Sequence, residues 1–203
     1  MSKVGVYSVM PNTIGSGYPT KSGRAKIIRG NCRTFCLNAP GLIYRYPYQN
    51  ITIPGGIVAY KTEKKSNVGI LCRSKEKSSL LNRVLNVSNS IPKKLLEMPH
   101  KAQKTIFGDS ISLINKLYGP LITGELEEFG KYLSDTNLVD CQLEHFIHIP
   151  LIDWHWNTFS IENSFKTSNT SIYCVGDSSG HARGLLQAAV SGWLAAEEYA
   201  NEN

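Results

Sequence analysis

No aspartate or glutamate precedes Glu63, so the first third of this 203-residue chain cannot supply the acid that holds a ribose about 20 positions after a Gly-rich nucleotide turn. The turn is missing as well. Gly15-Ser16-Gly17-Tyr18-Pro19-Thr20 has two of the glycines, but proline and threonine stand where a tightly packed helix should open, so the string is read as a coincidence. No apolar run approaches the roughly 18 residues of a spanning helix, and Met1 to Val6 lack a signal-peptide core. No membrane association and a cytoplasmic location are therefore expected. Cysteine is sparse: Cys32, Cys36, Cys72, Cys141 and Cys174 are odd in number and irregular in spacing. That excludes a fully paired disulfide framework and fits reduced thiols. The glycosylation-type triplets at Asn50, Asn86 and Asn169 then carry no meaning. There is no internal repeat and no low-complexity tract.

What is present suits a globular protein, since 41% of the residues are hydrophobic and the length is sufficient for a sizeable core. The net charge of +6 conceals an asymmetry: residues 1–105 carry 18 Lys/Arg against three acids, and residues 106–203 carry 4 against 13. Such a division suits two halves that face each other or a partner subunit. It also leaves room for a nucleic-acid partner, although the basic residues are scattered and no nucleic-acid module is recognisable.

Along the chain, 4–10 and 26–36 read as strands, 41–60 as a hairpin turned near Pro47 and again near Pro54-Gly55-Gly56, and 67–73 as another strand. From Lys75 to about Leu143 apolar residues recur at helical periods: Leu80, Leu81, Val84 and Leu85, then Leu95, Leu96 and Met98, then Ile111 to Leu117, then Leu126, Phe129 and Leu133. Asn89 to Pro92, Phe107-Gly108-Asp109, Gly119-Pro120 and Ser134-Asp135 punctuate them.

Residues 171–196 speak most directly about function. Ile172 to Val175 read as a short buried strand ending at Gly176. Asp177 follows in a glycine-flanked turn, and a helix is expected from near Ser178 to Gly180. Its first amides would be free to hold an anionic or electron-rich ligand edge, and the Asp177 carboxylate could accept hydrogen bonds from sugar-type hydroxyls. Gly184, Ala188, Gly192 and Ala196 recur every four residues, which puts them on one helix face.

This segment, through Gln187, Gly192 and Ala195, resembles the carboxy-terminal flavin-binding motif of FAD-dependent oxidoreductases. The resemblance implies that FAD is the cofactor and that Gly176, Asp177, Gly180, His181, Ala182 and Arg183 line it. A second resemblance lies far away in the chain. Residues 4–11, Arg33-Thr34-Phe35-Cys36, Asn38, Gly41 and Lys65-Ser66-Asn67 are similar, in order, to elements of a group of FAD-dependent dehydrogenases. The chain departs from that group at Tyr7, where an arginine is usual, at Ser8 and Val9, where an acid is expected, and in the single Gly41 after Pro40. The implied fold is α/β in the broad α+β sense, a partial flavoprotein. Residues 1–30 would leave the missing FAD domain, 31–150 would form the second or substrate domain, and 151–203 would return as the strand and helix that close the flavin site.

Gly176 to Gly180 also fits G-x-S-x-G, but a hydrolase of that kind needs an acid and then a histidine far downstream, and only 25 residues remain. Cys32 and Cys36, four apart on a strand, would lie about 13 Å from each other, too far for a disulfide. The place of Cys36 in the family motif permits its thiol to approach the flavin; a buried structural thiol is the competing and favoured reading. No cysteine pair has zinc spacing, His145 and His148 do not share a strand face, and Asp153 with His155 would need ligands from elsewhere, so no metal is expected. Within the aromatic stretch 152–159, His155 is the best-placed general acid/base. A partly buried aromatic strand pair whose histidine satisfies a carbonyl is the competing reading and explains it slightly better.

The functional expectation is a subunit or split half of an FAD-dependent oxidoreductase. A separate chain would supply the Rossmann half, and a small molecule or nucleotide would be the substrate. Two alternatives stay open: a non-catalytic binding or scaffold subunit that kept the fold, and a flavin-dependent enzyme that modifies nucleic acid or nucleotides.

Overall fold

The computed structural model describes residues 3–11, 27–58, 65–74, 79–136, 139–153, 158–162, 164–169, 171–182 and 184–202. The chain divides into two compact units, Met1–Trp154 and His155–Asn203.

Among the described residues of the first unit, alternating and continuous apolar runs form eight strands. They are β1 (Lys3–Pro11), β2 (Ile28–Arg29), β3 (Cys32–Asn38), β4 (Gly41–Tyr48), β5 (Ile51–Val58), β6 (Lys65–Arg73), β7 (His100–Ala102) and β8 (His145–Asp153). Six of them make one antiparallel sheet in the order β2-β3-β6-β1-β8-β7. The expected strand over 26–36 is two strands, because Gly30 takes a left-handed φ of 57° and turns the chain with Asn31. β4 and β5 form a separate hairpin that packs through β5 on β8 and β3 and through β4 on β6.

That hairpin turns once, at Gln49-Asn50. The second turn expected at Pro54-Gly55-Gly56 does not form; these residues lie inside β5, paired with Arg45, Tyr44 and Ile43. A two-stranded hairpin has only edge strands, where a proline without an N–H removes no central ladder bond. Gly55 is needed because the Tyr44 ring lies on it: a Cβ there would sit 2.5 Å from Tyr44 Cε1.

The helices fall where the periodicity places them: α1 (Ser79–Ser88), α2 (Lys93–Glu97), α3 (Ile111–Tyr118) and α4 (Pro120–Asp135). Pro120 opens α4 at its first position, where its missing N–H would have no intrahelical partner anyway. Thr123, Leu126, Phe129, Gly130 and Leu133, spaced three and four apart, are its buried face. They join Leu80, Val84, Ile114 and Leu117 and the sheet residues Cys32, Ile70, Cys72, Ile147 and Ile149 in one core. β6 is buried from Ser66 to Cys72, since Leu71 on its other face packs with Leu151, Phe35 and Ile43. The unit is thus an antiparallel sheet with helices, an α+β arrangement.

Among the described residues of the second unit the one long element is α5 (Leu185–Glu202). Among the described residues no helix is long and apolar enough to cross a membrane.

Candidate functional site

Five of the six residues implied to line a flavin lie together in the second unit: Gly176, Asp177, Gly180, His181 and Ala182. Arg183 and the acid/base candidate His155 lie outside the described residues. The local structure differs from the expected strand, turn and helix at both ends. Ile172 to Val175 form no strand: Ile172 is half exposed and Tyr173 makes a single bridge to Lys166. The helix does not start near Ser178 to Gly180. Instead Gly176 (φ 66°) and Gly180 (φ 76°) bracket a single 3-10 turn, Asp177–Ser179, and α5 begins only at Leu185.

The hydrogen bonds explain why. Buried Ser179 donates its hydroxyl to the Gly176 carbonyl at 2.7 Å and accepts the His181 amide at 3.2 Å. The Ser179 and Gly180 amides donate to the Gly176 and Asp177 carbonyls. Gly176 N–H donates to Ser191 Oγ of α5 at 2.8 Å, and His181 Nε2 lies 2.9 Å from the Phe159 carbonyl. The amides expected to be open to a ligand at 179–181 are therefore taken up inside the turn. At the true helix start the Gln187 side chain accepts the Gly184 amide at 3.0 Å. What the turn presents outward is the exposed Asp177, with His181 also exposed and Ala182 buried.

The helix that follows is turned differently from the expected small-residue stripe. Ser191 and Ala195 are its buried residues, with Ala188 and Gly192 half-buried, while Ala196 is exposed. Its large apolar side chains point outward: Leu185 is 92% exposed, Leu186 77% and Trp193 72%, with Val190, Leu194 and Tyr199 also exposed.

In the first unit, Cys36 sits exposed at a bulge in β3, with a left-handed φ of 42° at the register shift between Phe35 and Asn38. Arg33, three residues before it, lies 3.7 Å from Asp153 and over the Phe35 ring, and its Nε is buried without a hydrogen-bond partner. The Lys65-Ser66-Asn67 element has a structural task. Fully buried Asn67 donates to the Leu42 carbonyl at 2.6 Å and the Ile57 carbonyl at 3.3 Å, and accepts from Asn38 at 2.8 Å, which ties the open end of the hairpin to the β3 bulge.

The two histidines of β8 are each occupied by protein. Buried His145 has its ring nitrogens 3.0 Å from the Leu143 and Ile106 carbonyls. Arg45 directs Nε and Nη2 at His148 Nδ1, at 3.3 and 3.1 Å, so Nδ1 is the acceptor. Burial, then the Arg45 charge and His100, bring His148 down to about 4, which keeps the ring neutral.

One cluster was invisible in the sequence. Cys32 on β3 and Cys72 on β6 are direct cross-strand partners, and Glu125 of α4 reaches them. Glu125 Oε2 is 3.2 Å from Cys72 Sγ, the Glu125 carbonyl is 3.4 Å from Cys32 Sγ, and Asn31 Nδ2 donates to Oε1 at 2.9 Å. The hydrogen bond with Cys32, burial and the Glu125 carboxylate all push the Cys72 thiol far up. Spacing rules could not find this cluster, because its members come from three elements and only the strand register joins them.

Comparison with protein-family models finds no match for this chain, and comparison with the curated proteins finds none either.

Proposed function

We propose that this chain contributes the substrate-domain and flavin-closing part of an FAD-dependent oxidoreductase, with the Gly-rich nucleotide fold supplied by a separate chain. The observation that carries the reading is the outward apolar face of α5, the helix to which the Gly176 to Gly180 turn is bonded through Ser191. A row of leucines and Trp193 left uncovered is what a helix shows when one of its covering layers belongs to another chain. Burial of such side chains stabilises by about 25 cal/mol per Å² of apolar surface.

The residues fit the cofactor at one point and not at another. Asp177 can accept hydrogen bonds from the hydroxyls of a ribityl chain, and the glycines on either side keep side chains away from that approach. A helix N-terminus facing the ring is not available, since the Ser179, Gly180 and His181 amides are bonded within the turn. Flavin, when bound, would supply the hydride or electron transfer. His155 is the residue proposed to move the substrate's proton, and the exposed Cys36 thiol is proposed as a further catalytic group.

The satisfied turn amides favour a second reading, a binding subunit that kept the fold and holds no flavin. Flavin retention decides between them. The full chain, purified alone and after co-expression with a Rossmann-type partner chain, is assayed for bound FAD by absorbance. The oxidoreductase reading expects flavin only in the complex, and Asp177→Ala is expected to weaken it tenfold to hundredfold, from about 1–3 kcal/mol for a lost buried hydrogen-bond partner. A complex that forms without flavin selects the binding-subunit reading. Full flavin retention by Asp177→Ala removes the carboxylate from the site.

A further inference from the structure

The cluster of Cys32, Cys72 and Glu125 lies in the first unit and is independent of any flavin. Its geometry starts from the strand register. The Arg73 amide donates to the Asn31 carbonyl at 2.8 Å, which makes Asn31 and Arg73 a hydrogen-bonded cross-strand pair. The next pair along, Cys32 and Cys72, is then of the closely spaced kind, with Cα atoms about 4.5 Å apart and side chains on the same face. Both sulfurs point into the main core, where α4 covers β3 and β6. Leu126 and Phe129 seat α4 there, and Glu125, on the flank of that face, is brought against the two thiols.

The three ligand atoms all lie within 4.8 Å of one another. A tetrahedral zinc site, with metal–sulfur bonds of about 2.3 Å and metal–oxygen bonds of about 2.0–2.2 Å, places its ligand atoms about 3.5–3.8 Å apart. The Glu125 oxygen already stands 3.2 Å from Cys72 Sγ, so small side-chain rotations bring the set around one ion. Among the described residues no cation pairs with Glu125: Arg29 goes to Glu128 at 3.8 Å, and the side-chain groups bonded to the Glu125 carboxylate are Asn31 and Cys72. The Asn31 amide on Oε1 leaves Oε2 directed at the sulfurs, as an outer hydrogen bond to a metal-binding carboxylate does. Cys32, Asn31 and Glu125 also border a cavity of about 240 Å³ together with Gly30, Glu128 and Phe129.

We propose that Cys32, Cys72 and Glu125 bind one zinc-class divalent cation, with the fourth coordination position open to this cavity. Two thiolates select a zinc-like ion over magnesium or calcium, which prefer all-oxygen sets. Three protein ligands and one open position match sites that keep a water or exogenous ligand on the metal. On binding, two S–H bonds break and two metal–sulfur bonds form; the protons pass to solvent, the carboxylate enters as the anion, and no electron moves.

The test uses the full chain, stripped of metal under reducing conditions and titrated with Zn²⁺ against a chromophoric chelator, with Co²⁺ followed in parallel by absorbance. The expected result is one ion per chain, about two protons released per ion, and a Co²⁺ spectrum with thiolate charge transfer and the visible bands of a tetrahedral site. Asn31→Ala is expected to lower affinity roughly tenfold to hundredfold, and Cys72→Ser to remove the dithiolate spectrum. Because a core cysteine variant can fail to fold, the deciding variant is Cys36→Ser/Cys174→Ser, which removes the two cysteines that are not buried, keeps all three proposed ligands and should bind one ion unchanged. Loss of the ion in that double variant overturns the proposal, as does less than one ion in the wild type. A Cys32–Cys72 disulfide that forms in air despite equimolar Zn²⁺ assigns the pair to redox chemistry and overturns it too.

Discussion

Acidification should loosen the first unit through His148, and the size of the effect follows from its surroundings. Arg45 aims two N–H groups at Nδ1 while its Nη1 donates to the Leu96 carbonyl at 3.1 Å and to the Glu97 carbonyl. The guanidinium is thus fixed by main chain and cannot turn away. Protonating Nδ1 would replace an accepting lone pair by an N–H that faces a fixed cation, in a half-buried place. The ring is held at about 4 for that reason, against about 6.5 in an unfolded chain. The folded pKa is depressed and the group is a base, so below about 6.5 the unfolded state binds the proton and the folded state does not. Stability is complete above that pH and is lost as pH falls toward 4. The loss amounts to about 1.4 kcal/mol at pH 5.5 and about 2.5 kcal/mol at pH 4.5. Carboxylates titrate in the same range, so the comparison is with His148→Gln, whose amide oxygen accepts from Arg45 and does not titrate. Urea unfolding of both proteins, followed by far-UV circular dichroism at pH 7.5, 5.5 and 4.5, should show the wild type losing about 2.5 kcal/mol more than the variant across the series. Parallel losses in the two proteins, or an NMR titration of His148 near 6.5, would refute the reasoning.

Three further outcomes are expected. Gly130→Ala should lower stability by about 1–3 kcal/mol in the same unfolding assay, because a Cβ there would stand 2.3 Å from Ile106 Cγ2 in a packed core; an unchanged midpoint would mean that α4 shifts freely. Asn67→Ala should lower it by about 1–3 kcal/mol, since the Leu42 and Ile57 carbonyls lose their donor, whereas Ser90→Ala, on an exposed bond to the Val87 carbonyl, should stay within about 0.5 kcal/mol. Leu186→Glu/Trp193→Glu should leave the helical dichroism intact and shift size-exclusion elution toward monomer, and identical elution of variant and wild type would show that α5 does not mediate association.

Local pattern was sufficient wherever one element could bury its own stripe. The apolar spacing from Leu80 to Leu133 fixed α1 to α4, and Asn89 to Pro92 and Gly119-Pro120 marked their breaks, because a helix that buries one face needs that spacing and cannot continue through those residues. The strands at β1, β3 and β6 and the hairpin of β4 and β5 were equally readable. Tertiary structure decided the rest. Pro54-Gly55-Gly56 stayed in a strand because the Tyr44 ring fills the space above Gly55, a contact that lies on the other strand. The last helix began at Leu185 because the Ser179 hydroxyl and two left-handed glycines closed the chain into its own turn first, a competition between backbone partners that apolar periodicity does not register. Cys32 met Cys72 and Glu125 because the register of β3 against β6 and the seating of α4 brought them together. The sequence holds the three side chains, and only pairing across the sheet could place them within reach of one ion.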